Sequence, residues 1–459
     1  MNEVTAVAAS TGGLSRSLAP RHVTMISIGG IIGAGLFVSS SAAIVAAGPA
    51  VVLSYLGAGV LVFLIMRMLA EMAVALPQVR SFSEFARAGL GNGAGFLAGW
   101  LYWYFWVVVI PVEAIAGANL LHGWIALPTW QLGLALMAVM TAVNLLSARS
   151  FGECEFWFAS IKVAAIIVFI ALAAAYAFGW TAPQGATFAN LVSHGGFAPH
   201  GFLAVLAGIT TVFFAVTGAE ITMVAAAESK EPARAIARMT RSVISRILMF
   251  YVASLFLIVS VVPWDRVVAG QSPFTLALTT IGLTWAGTAM SVIILTAVLS
   301  CLNSSFYVCS RVLFVLAEHR DAPQWLVKLS SSRVPARSVL IGAVAGVLGI
   351  IANAAAPTTV FAFLVNASGA LILFVYSMIC VSQIRLRRAR ERNGVAEPAL
   401  QMWWFPWASY AAIAGMAAVL LAMAFTPALA SQFYVSVLTL AIALIAWFTV
   451  KHRRQGSGA

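Results

Sequence analysis

Long apolar runs follow one another along this chain with short polar interruptions. The pattern predicts α-helices long enough to cross a lipid bilayer, which takes about 20 apolar residues each. Twelve such runs can be drawn, near residues 22–46, 50–76, 94–121, 129–147, 153–178, 200–227, 241–263, 284–316, 336–355, 358–384, 405–425 and 431–450. Basic residues mark alternate connections. Arg80 and Arg87 follow the second run and Arg149 the fourth, while Lys230, Arg234, Arg238 and Arg241 follow the sixth. Arg320, Lys328, Arg333 and Arg337 follow the eighth, Arg385, Arg387, Arg388, Arg390 and Arg392 the tenth, and Lys451, Arg453 and Arg454 the last. The other connections carry Arg266 and almost nothing else of that sign. Lys and Arg gather on the cytoplasmic side of membrane proteins, so the alternation predicts an even number of spans with both termini in the cytoplasm. Two connections read as more than turns. Residues 179–199 form a long outer loop rich in Gly, Pro and His, and residues 264–283 lead into a short amphipathic stretch lying over the outer mouth.

Composition agrees with this reading. Of 459 residues, 62% are hydrophobic and 9% charged, with a mean hydropathy of +0.98; soluble domains carry about 25% charged residues. The expected fold class is an all-α polytopic membrane protein. A flexible cytoplasmic tail is expected over 1–20, a transmembrane domain over 21–450 and a basic cytoplasmic tail over 451–459. A net charge of +12 would suit nucleic-acid binding, but the basic residues sit at predicted membrane edges, where anionic lipid is the natural partner; no nucleic-acid partner is expected. Cys154, Cys301, Cys309 and Cys380 form no CxxC pair, so neither a disulfide framework nor a metal site is indicated. No hydrophobic stretch within the first twenty residues reads as a cleavable signal. None of the four lysines follows a glycine, no His precedes a Glu, and there is no GxSxG. Those absences argue against a phosphate loop, a zinc protease and a serine hydrolase. A transporter rather than an enzyme is expected, without cofactor.

Candidate chemistry lies where the spans break helical rules or bury charge. The first span reads Ser27-Ile28-Gly29-Gly30-Ile31-Ile32-Gly33-Ala34-Gly35-Leu36-Phe37. Four glycines in seven residues weaken a helix by about 1 kcal/mol each. An interruption there would aim backbone N–H groups at a substrate carboxylate, whereas the same glycines also serve close helix packing. The sixth span holds Phe213-Phe214-Ala215-Val216-Thr217-Gly218-Ala219-Glu220 in the matching position five spans later, and such a pair points to a transport site. Lys162 lies half-way through the fifth span, where an unpaired ammonium costs at least about 2.5 kcal/mol; it reads either as a proton carrier or as a strut locked to carbonyls or a carboxylate. Glu220 and Glu113 are candidates for an ammonium contact, for proton relay, or for bonding freed amides. Arg67 and Glu71 share a helix face four residues apart and read as a gating or structural contact. Glu153 and Glu155 open the fifth span, where the helix dipole favours acids. Trp100 to Trp106, Ser300 to Ser305 and Asn366 to Gly369 line either a pathway or helix seams.

The stretch Leu14 to Val23 leading into Gly30-Ile31-Ile32-Gly33-Ala34-Gly35-Leu36-Phe37, together with Met66-Arg67-Met68-Leu69-Ala70-Glu71-Met72, Gly99 to Trp103, Gly218-Ala219-Glu220, Ala225 to Ser229 and Ser300 to Ser304, closely resembles the amino acid transporter family of the amino acid–polyamine–organocation superfamily. Met66 to Met72, Ile110-Pro111-Val112-Glu113-Ala114 and Ser300 to Asn303 look most like its 4-aminobutyrate (GABA) permeases. The resemblance implies a leucine-transporter-like fold: an inverted repeat of five plus five helices, over about 21–178 and 200–384, followed by two helices over about 405–450. It further implies proton symport of an amino acid, most closely GABA, across the bacterial inner membrane, with permeases for aromatic or other neutral α-amino acids, or an exchanger, as the alternatives. Ile32, Gly33, Ala34 and Gly35 would bind the substrate carboxylate, and Phe214, Ala215, Thr217 and Gly218 would face its amine and body. Lys162 would carry the proton. Many relatives hold Thr where this chain has Ala34, which fits a differently spaced amine.

Overall fold

The computed structural model describes residues 18–29, 32–33, 35–77, 79, 81–218, 220–221, 224, 247–368 and 370–456. The basic connection holding Lys230, Arg234, Arg238 and Arg241 lies outside these residues, as do Ala34 and Gly369.

The first predicted span is two helices, α1 (Pro20–Gly29) and α2 (Ser40–Ala47), the latter entered through a π-helical turn at Gly35–Ser39. A tight turn at Gly48–Ala50 leads into α3 (Val51–Ala75). Then come α4 (Phe82–Leu90), α5 (Asn92–His122), α6 (Thr129–Leu146), α7 (Ala148–Ala177) and α8 (Gly201–Val216). A π-helical segment at Ile247–Ala253 runs into α9 (Ser254–Val261). The chain continues through α10 (Pro273–Thr280), α11 (Ala286–Glu318), α12 (Ala336–Ala355), α13 (Pro357–Ser368), α14 (Leu371–Arg392), α15 (Trp407–Phe425) and α16 (Pro427–Gly456). Eight helical stretches among the described residues are long and apolar enough to cross a membrane. One of them, Gly35–Ala75, doubles back at Gly48, where φ is +64° and an added Cβ would lie 2.5 Å from the Pro199 ring.

Two boundaries differ from expectation at the termini. Leu18 is buried, packed beside Gly152 at the start of α7, rather than part of a loose tail. At the other end α16 carries its helix through Lys451 and His452 to Gly456, because nothing in that stretch breaks it. Pro111 sits inside unbroken α5; Gly346 and Gly349 of α12 leave room for Ile110 and Pro111.

α5 and α11 form the spine of the bundle and pack against each other, with α6 and α12 beside them. Neighbour relations recur in pairs. α4 lies against α5 and α14, and α10 lies against α11 and α7. α3 meets α14 as α9 meets α7, and α6 meets α11 as α12 meets α5.

α4 was not foreseen, although its signal is present: Ser81 accepts the Glu84 N–H, with Glu84 three residues after the cap. It is pinned to the end of α11 by an Arg87–Asp321 ion pair, and His319 lies 3.2 Å from Glu84. At the opposite end, α10 folds over the second half of the first predicted span. Phe274 is fully buried between Phe37 and Phe169, and the Gly270 N–H donates to Ser41. The two long connections interlock there, Trp264 Nε1 donating to the His194 carbonyl and Asn190 Nδ2 to those of Ser260 and Val261.

Removing one partner of a buried pair strands the other charge, at a cost of about 3 kcal/mol. Arg87→Ala is therefore expected to lower the thermal midpoint of the detergent-solubilised protein clearly, and Arg87→Ala with Asp321→Ala to recover part of the loss. A single mutant as stable as the parent would show that the pair does not hold α4.

Candidate functional site

The two glycine-rich interruptions meet. α1 stops at Gly29, Ile32 and Gly33 are not helical, and helix resumes at Gly35. α8, which carries Phe214 on its last turn, stops at Val216. Thr217 bonds back to the Phe213 carbonyl (3.0 Å), and Gly218 adopts φ +117°, which a side chain would oppose. A Cβ on Gly35 would sit 2.9 Å from the Ala215 Cα, so the two broken helices touch with no space for a methyl group. Among the described residues nothing lies within 4 Å of a Cβ built on Gly33, so this position faces open space there. Both interruptions therefore bring backbone to one place in the bundle, as a carboxylate-binding site built from half-helix ends requires. A third interruption, not foreseen, divides the tenth predicted span between α13 and α14. There the Ala370 N–H donates to Ser436 Oγ of α16 at 3.0 Å.

Freed backbone groups need partners inside lipid, and buried side chains supply them. Lys162, 1% exposed, donates to the Ile32 carbonyl at 2.8 Å and to Ser300 Oγ at 2.8 Å. Ser300 in turn donates to Glu155 Oε1 at 2.5 Å. Asn303 Nδ2 reaches Glu155 Oε2 at 3.4 Å, and Asn144 Nδ2 reaches Asn303 Oδ1 at 2.9 Å. Glu155 is wholly buried. A dipole reading of the start of α7 missed it, but seven residues separate Glu155 from Lys162, so they stand two turns apart on one face. Ser300 and Asn303 likewise share a face of α11.

Glu220, also wholly buried, serves the second interruption. Its Oε2 accepts the Gly218 N–H at 2.9 Å and the Tyr376 hydroxyl of α14 at 2.6 Å. The Ala215 carbonyl, a candidate amine contact, accepts the Tyr251 hydroxyl at 2.9 Å. Glu113 of α5 is buried near Lys162 and Cys301, and its Oε2 has no hydrogen-bond partner among the described residues.

Arg67 and Glu71 sit apart from this cluster, at the basic end of α3. The Arg67 guanidinium lies over the Trp403 ring, 3.8 Å from its centroid. Glu71 accepts Gln383 Nε2 (2.9 Å) and the Met402 N–H (2.8 Å), with Arg387 at 3.6 Å. Both residues thus clamp the connection between α14 and α15. Among the described residues, no group of His, Cys, Asp and Glu side chains is placed to hold a metal ion.

An amino acid permease family model matches residues 22–456. The chain belongs to the amino acid permease family. It is 42% identical to the gamma-aminobutyric acid permease of Bacillus subtilis, over 98% of this chain and 96% of that one. It is 46% identical to a probable GABA permease of Pseudomonas aeruginosa, over 90% and 88%. It is also similar to the aromatic amino acid transport protein AroP of Salmonella typhimurium, at 39% identity over 91% of each chain.

At this interruption the buried Lys162 amine holds the Ile32 carbonyl, and the Gly33 carbonyl accepts the Leu36 N–H at 3.2 Å. The contact between Gly35 and Ala215 sets how closely the two breaks approach. Gly35→Val is expected to reach the membrane at the parental level yet take up radiolabelled amino acid roughly tenfold more slowly, matching the 1–3 kcal/mol that overpacking costs. Uptake at the parental rate would show that the contact is not required.

Proposed function

We propose that this permease imports GABA together with a proton across the bacterial inner membrane. The observation that carries the coupling is the Lys162 ammonium on the Ile32 carbonyl, inside the first interruption. Protonated, Lys162 holds the interruption in a form that accepts substrate from outside. Loss of the proton on the cytoplasmic side weakens that hold and favours release. The substrate carboxylate docks at Ile32, Gly33, Ala34 and Gly35, and its amine lies toward the second interruption at Phe214, Ala215, Thr217 and Gly218, with Glu113 and Glu220 as the nearby acids.

GABA is favoured by the names of relatives similar over nearly the full chain and by Ala34, which removes a hydroxyl beside the carboxylate site. An aromatic substrate is the second reading, carried by the likeness to AroP. Twelve spans in a five-plus-five inverted repeat plus two helices are supported by the recurring neighbour relations. Exchanging α5 with α11, and α7 with α14, turns the surroundings of α4 into those of α10. The basic end of the bundle is then cytoplasmic, with both termini there.

Proteoliposomes decide the reading. The parent is expected to accumulate radiolabelled GABA when an inward proton gradient is imposed, and Lys162→Ala to bind or equilibrate GABA without accumulating it. Preference for phenylalanine or tyrosine would replace the substrate. Accumulation by Lys162→Ala against a gradient would remove Lys162 as the proton carrier.

A further inference from the structure

We infer that Glu155 is a second proton station, joined to Lys162 by the Ser300 hydroxyl and leading from the substrate site toward the basic end of the bundle. The inference rests on the proton-symport reading of Lys162 and extends it to residues on two further helix turns. Ser300 Oγ accepts from Lys162 Nζ at 2.8 Å and donates to Glu155 Oε1 at 2.5 Å, so one hydroxyl already bridges the lysine nitrogen and the carboxyl oxygen. The helix rise places Glu155 about 10 Å closer than Lys162 to the start of α7. There Arg21 pairs with the partly exposed Glu153, which marks the edge of the buried zone.

The transfer is balanced. An N–H bond of the Lys162 ammonium breaks as its proton passes to Ser300 Oγ, and the original Ser300 O–H breaks as its proton passes to the Glu155 carboxylate. An ion pair becomes a neutral amine and a neutral acid with the hydroxyl restored, and no charge has been created in the low-dielectric interior, where an isolated charge is costly. Release of the Glu155 proton to water at the basic end, with a new proton taken up by Lys162 from the substrate side, restores the ion pair and completes the cycle. Asn303, itself held by Asn144, keeps the carboxylate in place throughout. Among the described residues, the titratable groups facing this pair are Glu113 of α5, Cys301 of α11, and Cys154 beside Glu155 on α7; α6 contributes Asn144, which does not titrate.

The test uses the full chain in proteoliposomes with two readouts: counterflow of radiolabelled GABA, which needs no proton movement, and accumulation driven by an imposed proton gradient across a series of internal pH values. Glu155→Gln keeps an oxygen for the Ser300 hydroxyl but cannot take up a proton; Ser300→Ala removes the bridge and Ser300→Thr retains it. Glu155→Gln and Ser300→Ala are expected to keep counterflow within about twofold of the parent, to lose gradient-driven accumulation by about tenfold or more, as loss of a proton-transfer group does, and to lose its dependence on internal pH. Ser300→Thr is expected to restore both. Glu155→Gln accumulating like the parent would overturn the inference, and so would its loss of counterflow alongside accumulation, which marks a structural role. Parental uptake that ignores the proton gradient would instead overturn the symport reading on which the inference stands.

Discussion

A carbonyl or amide freed within lipid must find its partner in the protein, and this chain frees several. Lys162 meets the carbonyl of Ile32, Tyr251 that of Ala215, Ser436 the amide of Ala370, and Glu220 the amide of Gly218 with Tyr376 bracing its carboxylate. Most of these partners come from other spans. The interruptions that make a binding site possible are thus also the points at which the bundle is tied together. Their rearrangement must exchange one set of bonds for another rather than simply break them.

Around that centre the packing is dense and the ends are latched. α4 with its Arg87–Asp321 pair closes one end, and α10 with Phe274 wedged between Phe37 and Phe169 closes the other. Both are short helices in connections, both rest on a spine helix, and they occupy related surroundings at opposite ends. Such elements can seal the bundle at either end without altering the span helices between them.

Much of this was legible in the residues. Run lengths located the eight membrane-length helical stretches among the described residues, and the glycines of the first and sixth runs located the interruptions, since nothing else tolerates φ +117° at Gly218 or the approach of Gly35 to Ala215. Lys162 was conspicuous because charge is rare in lipid. What stayed hidden was long-range pairing. Glu155 near a helix start reads as a dipole acid, and only the arrival of Ser300 and Asn303 from α11 shows it buried and engaged. Glu71 and Arg67 looked like partners by spacing, yet Gln383, Met402 and Trp403 come to them from the far end of the chain. The break between α13 and α14 carries one glycine, Gly369, too weak a mark to separate from ordinary packing.

The bond from Ser436 to the Ala370 amide bears on how such proteins enlarge and shrink. α15 and α16 follow α14 and close the described chain. Yet α16 supplies the hydroxyl that meets the Ala370 amide between α13 and α14. A shortened chain ending before Trp407 would not be a minimal carrier but one with an amide bare to hydrocarbon, so gain or loss of the terminal pair in descent has to be accompanied by a compensating change near Ala370.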